Sequence, residues 1–203
     1  MHSESIGSIQ DGMSREEAWA RLMQLPENEV GEIIAGELIV SPRPASPHAL
    51  AASTLAMELG SPFQRGRGGP GGWWILVEPE LHLGEDVLIP DLAGWRVERM
   101  PVMPDVAAFT LAPDWVCEVV SPSTGALDRI RKMPLYAKAG VRDAWLVDPL
   151  ARFLESFRLQ DGHWLRLGAW GEDERPRVEP FSAIELELRA LWLPGDAPSP
   201  VAG

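Results

Sequence analysis

A single cysteine in 203 residues excludes an internal disulfide and points to a reducing, cytoplasmic setting. No run approaches the ~20 consecutive apolar residues of a membrane span. The opening MHSESIGSIQDGMS has neither a basic start nor an apolar stretch, so it does not read as a signal peptide. Positive charge is scarce: 18 Lys and Arg stand against 30 Asp and Glu, a net charge of −12. That balance argues against a protein that coats nucleic acid by charge alone. It is compatible with a clustered acidic site that needs a metal before it meets a phosphate. Four scattered histidines and one cysteine cannot make a zinc ribbon, and neither a GxSxG elbow nor a Walker loop occurs.

What remains is a chain that is 45% hydrophobic and long enough to bury a full core. Neither an internal repeat nor a second core is evident. The expected organisation is a flexible arm over 1–13, one domain over 14–193 and a flexible tail over 194–203.

SREEAWARLMQL opens with a capping box, Ser14 as cap and Glu17 three residues on, with Ala18, Leu22 and Leu25 on one helical face. EIIAGELIV reads as two short strands around a turn at Ala35 and Gly36. SPHALAASTLAMELG predicts a helix with Ser46 as cap, Pro47 in the first turn and Gly60 just past the end. RGRGGPGG is a flexible loop. WWILVEPELHL and VLIPDLAGWRV read as paired strands joined at GED. GALDRIRKMPLYAKAG is helical, bent or restarted at Pro134, and ends at Gly140. DAWLVDP is a buried strand, FLESFRLQDGHWLRLGAW a hairpin about Asp161 and Gly162, and RVEPFSAIELEL closes the chain. This order predicts an α+β class with a mixed central β-sheet flanked by helices and additional antiparallel hairpins.

Two residues break the apolar pattern. In WVCEVVSPST, Glu118 stands among Trp115, Val116, Cys117, Val119 and Val120. An unpaired carboxylate there costs several kcal/mol, so something cationic is expected to meet it. In VLIPDLAGW, Asp91 interrupts a second apolar strand. The two-residue alternation of a strand puts Glu118 on a face with Val116 and Val120, and Cys117 on the other face as a small core residue. If the two strands are neighbours, ~4.8 Å apart, both carboxylates converge on one ion. A hard cation such as Mg²⁺ is held in this way, by one or two carboxylates completed by water and phosphate oxygens.

GEIIAGELIVSP, IPDLAGW, PDWVCEVVSPST, DRIRKMPLYAKAGV and WLVDP occur in that order over roughly residues 14–193. In these motifs the chain resembles the Uma-type "putative restriction endonuclease" family of bacteria, within the PD-(D/E)xK nuclease superfamily. The resemblance implies a restriction-endonuclease-like core and Mg²⁺-dependent hydrolysis of DNA phosphodiester bonds; the sequence leaves the choice between Mg²⁺ and Mn²⁺ open. It implies that Asp91 is the first metal-binding aspartate, that Glu118 is the acid of the second half-motif, and that the Val119 carbonyl is a further ligand. The superfamily lysine belongs two residues after the acid, where this chain has Val120. Lys132 on the next helix is the candidate replacement, near enough to reach the Asp91–Glu118 cleft and steadied by Asp128. Glu32 and His48 match family positions as outer ligand and phosphate contact.

Each candidate has a plainer reading. Glu118 and Asp91 are also what ion-paired strand residues look like. Lys132 is also a surface lysine paired with Asp128, since i and i+4 side chains are neighbours on a helix. Glu32 is also a turn cap and His48 a solvated histidine in a first helical turn. Glu78, Glu80 and His82 read as a polar outer face, and Tyr136 as packing. Trp145, Trp164, Trp170 and Trp192 offer more aromatic surface than one hairpin needs, which predicts a two-fold homodimer. The alternative to an endonuclease is a catalytically inactive nuclease-fold module for binding or assembly. A glycosidase-type carboxylate pair has no further support in the chain.

Overall fold

The structure, a computed structural model, describes residues 7–8, 14–26, 29–42, 44–122 and 124–193. Most of the expected arm, and all of the expected tail, lie outside the described residues. Within the arm, Gly7–Ser8 form β1, paired antiparallel with Val40 and Ile39. No described helix is long and apolar enough to cross a membrane.

Helix α1 (Arg15–Leu22) starts at the predicted box: the Glu17 N–H donates to Ser14 Oγ at 3.3 Å, and the Ser14 N–H to Glu17 Oε2 at 2.8 Å. Its Ala18 is buried against Ile33, Leu38 and Val87. Strands β2 (Glu29–Ile34) and β3 (Glu37–Pro42) form the predicted hairpin. Ala35 and Gly36 both take positive φ, 53° and 84°, the twist that suits a two-residue hairpin turn. Helix α2 (Ser46–Leu59) differs in its ends. Ala45 holds the cap position with no side-chain bond, and Ser46 is already helical. Pro47 in the first turn has no N–H to satisfy, which lessens the need for a cap. Gly60 does not stop the chain either; it stays right-handed and leads into a π-helical turn, Gly60–Gln64.

The next four strands correct the expected single hairpin. Strands β4 (Trp73–Val77) and β7 (Leu92–Arg96) pair in one sheet, whereas β5 (Glu80–Leu83) and β6 (Asp86–Leu88) pair in another. The chain leaves the first sheet at Glu78–Pro79 and returns through Ile89–Asp91. Proline cannot donate to a ladder, so Pro79 and Pro90 fall where pairing breaks. Asp91 therefore occupies the bend before β7 rather than a strand interior.

One sheet has the order β1-β3-β2-β6-β5-β8, closed by the short β8 (Ala108–Phe109). The other contains β9 (Trp115–Val119), β10 (Asp143–Asp148), β11 (Phe153–Gln160) and β12 (His163–Gly171), in the order β12-β11-β10-β9-β7-β4. It is mixed: β9 and β10 run parallel and its other pairs antiparallel. Alternation on β9 splits the core. Trp115, Cys117 and Val119 join α2 and the C-terminal segment, while Val116 and Val120 join Met133, Tyr136, Ile34 and Leu88. The architecture is the expected α+β one, a mixed sheet flanked by helices.

Phe181 anchors the first core, 4.7–4.9 Å between ring centroids from Phe63, Trp73 and Trp115. Gly94 makes room for this packing, since a Cβ there would lie 3.2 Å from both Trp115 and Trp73. The aromatic surplus expected on the surface lies largely inside. Trp145 and Trp192 are buried, and Trp164 and Trp170 are half-buried. Their indoles donate to carbonyls within the chain, Trp145 to Glu179, Trp164 to Met133 and Trp192 to Glu172.

Candidate active site

Strands β7 and β9 are antiparallel neighbours, with Leu92 opposite Cys117. The next step of that register brings Asp91 beside Glu118. Asp91 Oδ2 accepts the Val119 N–H at 2.7 Å, and its Oδ1 lies 3.1 Å from His48 Nε2. His48 reaches this point from the first turn of α2. Its Nδ1 is buried and has no partner.

The third contribution comes from the helical segment after β9. Helix α3 (Gly125–Leu127) runs into a π-helical turn, Asp128–Lys132, and then into α4 (Met133–Lys138). Pro134 explains the wide turn. It has no N–H for the Ile130 carbonyl, and the Met133 N–H reaches back five residues to Asp128 instead. An ordinary α-turn advances side chains by about 40° over four residues, whereas a π-turn rotates less per residue and draws the phase back. Asp128, Lys132 and Tyr136 thereby share one inward face, and all three are buried.

Lys132 is only 3% exposed. Its Nζ lies 2.8 Å from Glu118 Oε1 and 2.8 Å from Glu32 Oε1, with Asp128 Oδ1 at 3.9 Å. It also donates to the Ile89 carbonyl at 3.3 Å. Glu32, from β2 in the other sheet, accepts the Ile89 N–H on the same Oε1 at 2.7 Å. Glu32 is thus a pin between Lys132 and the bend that carries Asp91. Tyr136, from α4, donates its hydroxyl to Glu118 Oε1 at 2.5 Å. By sequence Tyr136 reads as packing, and its spacing of four from Lys132 is the signal for a shared face. Val120 stands buried in the place of the strand lysine, its N–H in the ladder to the Val147 carbonyl.

Burial raises the Glu118 carboxyl well above the usual carboxylate range, against the opposing pull of Lys132. Asp128 is likewise pushed up by burial, to about 6. Burial alone would lower Lys132, but the Glu118 and Glu32 carboxylates outweigh it and hold the ammonium above its ordinary value. His48 follows the same pattern: desolvation pulls it down, and Asp91 raises it to a net upward shift. Cys117, on the opposite face of β9, is a buried thiol pushed up by desolvation. Of the polar outer trio, His82 and Glu80 meet at 2.6 Å, away from this cluster, and Glu78 sits in the bend before β5.

Among the described residues, no three His, Cys, Asp or Glu side chains form a preformed metal cage. The donor set nonetheless suits a hard ion. Mg²⁺ uses one or two carboxylates and takes water and phosphate oxygens for the rest. Asp91, in the bend before β7, and Glu118, in β9, are two carboxylates side by side in that register.

A mixed sheet flanked by helices, with acids at the adjacent ends of β7 and β9 and a lysine from the following helical segment, matches a restriction-endonuclease-like architecture. Residues 19–190 match the Uma2 model, described as "Putative restriction endonuclease", and the chain belongs to that family. Its fold is similar to that of a protein of Anabaena variabilis ATCC 29413, described as "a putative nuclease belonging to DUF820". The TM-score is 0.69 at 24% identity, over 88% of this chain and 97% of the other. No curated protein matches the chain.

Proposed function

We propose that this chain is a Mg²⁺-dependent endonuclease that hydrolyses DNA phosphodiester bonds, with Mn²⁺ able to replace Mg²⁺. One observation carries the reading: the Lys132 ammonium, supplied by the helix after β9, sits between Glu118 and Glu32 beside the Asp91 bend. A cation thereby stands beside Glu118 although Val120 occupies the strand position.

Asp91 and Glu118 would hold the metal, with the Val119 carbonyl as a further donor. The bound ion supplies Lewis-acid polarisation of the scissile phosphate and a water of lowered pKa. Lys132 keeps Glu118 in place and counters negative charge that develops at the phosphate. Glu32 fixes the Ile89–Asp91 bend through the Ile89 N–H. His48, hydrogen-bonding to Asp91 from α2, is the candidate phosphate contact. A homodimer would present two such sites to the two strands of a duplex. The half-buried Trp164 and Trp170 leave part of its aromatic rationale standing, beside the prevalence of two-fold symmetry. Light scattering at micromolar concentration tests it, and a monomer removes it.

The inactive-module reading keeps one specific observation in its favour. Asp91 and Glu118 both already have partners inside the protein: Val119 and His48 for Asp91, Lys132 and Tyr136 for Glu118. Incubation of plasmid and oligonucleotide DNA with Mg²⁺ or Mn²⁺ separates the two readings, with Asp91→Ala prepared in parallel. Metal-dependent cleavage that vanishes in Asp91→Ala supports the enzyme. No cleavage by wild type, or equal cleavage by both proteins, supports the module.

A further inference from the structure

The geometry points to Tyr136 as a positioning residue that selects which oxygen of Glu118 is left for a cation. The inference rests on the reading above that Asp91 and Glu118 hold the metal. Two donors converge on the same atom of Glu118: the Tyr136 hydroxyl at 2.5 Å and the Lys132 ammonium at 2.8 Å. Both side chains are buried, and their elements are locked by packing. Tyr136 is fully buried among Val116, Val120 and Met133, and its helix is tied to β12 where the Trp164 indole donates to the Met133 carbonyl. With Oε1 held twice, the carboxylate has one orientation, and Oε2 is the oxygen that remains to meet an ion. Lysine alone would fix this less firmly, because an ammonium is a point charge that pairs with either carboxylate oxygen, even with its Nζ held by Glu32 and the Ile89 carbonyl. The rigid phenol, set by the ring packing, breaks that equivalence. Groups that orient a metal ligand in this way typically matter 10–100-fold for metal affinity or activity.

The chain offers a direct probe, since Tyr136 is its sole tyrosine. Protein labelled with tyrosine ¹³C at Cζ gives one tyrosine resonance, and Mn²⁺ at the acid pair should broaden it beyond detection. Tyr136→Phe keeps the ring and removes the hydroxyl. Its Mn²⁺ dissociation constant, measured by electron paramagnetic resonance, should rise about 10–100-fold. Turnover at saturating metal should change far less than affinity. If saturating Mn²⁺ leaves the wild-type resonance sharp, the ion binds elsewhere and the metal assignment of Asp91 and Glu118 fails. If the resonance broadens but Tyr136→Phe binds Mn²⁺ within twofold of wild type, the hydroxyl is only a satisfied buried group and the positioning role fails alone. Should Tyr136→Phe not fold, Mg²⁺ titration of the labelled wild type decides. A shifted resonance at saturation supports the coupling of Tyr136 to the bound acid, and an unmoved one overturns it.

Discussion

Replacing Lys132 with methionine keeps the length of the side chain and removes one charge from the middle of three buried carboxylates. Glu118 and Glu32 each lose a contact of 2.8 Å, and Asp128 loses its neighbour at 3.9 Å. Breaking a buried pair by deleting one partner costs about 3–5 kcal/mol, because the remaining charge is left without a partner. For a chain of this size each kcal/mol lowers Tm by about 2–4 °C, so a fall of about 6–20 °C is expected at pH 8. The loss must depend on pH. Glu118 and Asp128 have raised folded-state pKa values, Asp128 at about 6, so acid neutralises them in the fold more readily than in the unfolded chain. At pH 5 the mutant is spared part of the repulsion and its deficit against wild type should shrink. The wild-type lysine obeys the opposite sign: its raised pKa stabilises the fold below its unfolded value and loses that contribution only as pH climbs past it. Urea unfolding of both proteins at pH 5 and pH 8 measures the difference directly. A deficit below about 1 kcal/mol at pH 8, or an equal one at both pH values, would refute the picture of a charge-compensating lysine.

Other outcomes follow from the same geometry. Lys132→Ala should lower any metal-dependent turnover about 100-fold, as expected when one preorganised donor is removed, while Mn²⁺ still binds; unchanged turnover excludes Lys132 from the chemistry. Asp128→Asn should gain stability relative to wild type as pH rises from about 4 to about 6, by at most about 3 kcal/mol, read from paired urea titrations. Mg²⁺ should raise Tm at neutral pH by binding the folded state, and Glu118→Gln should lessen the rise; an equal shift in both proteins places the ion elsewhere. Gly94→Ala drives a methyl to within 3.2 Å of Trp115 and Trp73 and should destabilise by about 1–3 kcal/mol in thermal or urea unfolding, with no pH dependence.

Local chemistry was readable wherever it is self-contained. The Ser14–Glu17 box and the Ala35–Gly36 turn need only residues a few positions apart, and both form as their residue types require. Glu118 was conspicuous because a carboxylate in an apolar strand is costly, and the predicted cationic partner exists as Lys132. The features that escaped depend on distant parts of the chain. Nothing local in WWILVEPELHL says that its halves join different sheets, because the choice is made by β2 and β9, which offer the free edges. Tyr136 looks like packing because it is packing, and its hydroxyl gains meaning only once the π-turn before Pro134 sets its phase beside Lys132. Ser46 reads as a cap on residue type alone, whereas the proline after it removes a donor that a cap would serve.

The two-sheet course of residues 73–96 also has a mechanical meaning. Asp91 hangs from the strap that carries the chain from one sheet to the other: its carbonyl accepts the Glu78 N–H, and two residues earlier Ile89 is clipped by Glu32. The Asp91 carboxylate, however, is held by the Val119 N–H of the second sheet, and Glu118 of that sheet is linked through Lys132 to Glu32 of the first. Both acids are therefore tied to both sheets, and the cluster works as a clasp across the seam where they meet. Substitutions in the β5–β6 hairpin, which leads directly into Ile89, would strain that clasp without changing a single acidic side chain of the cluster.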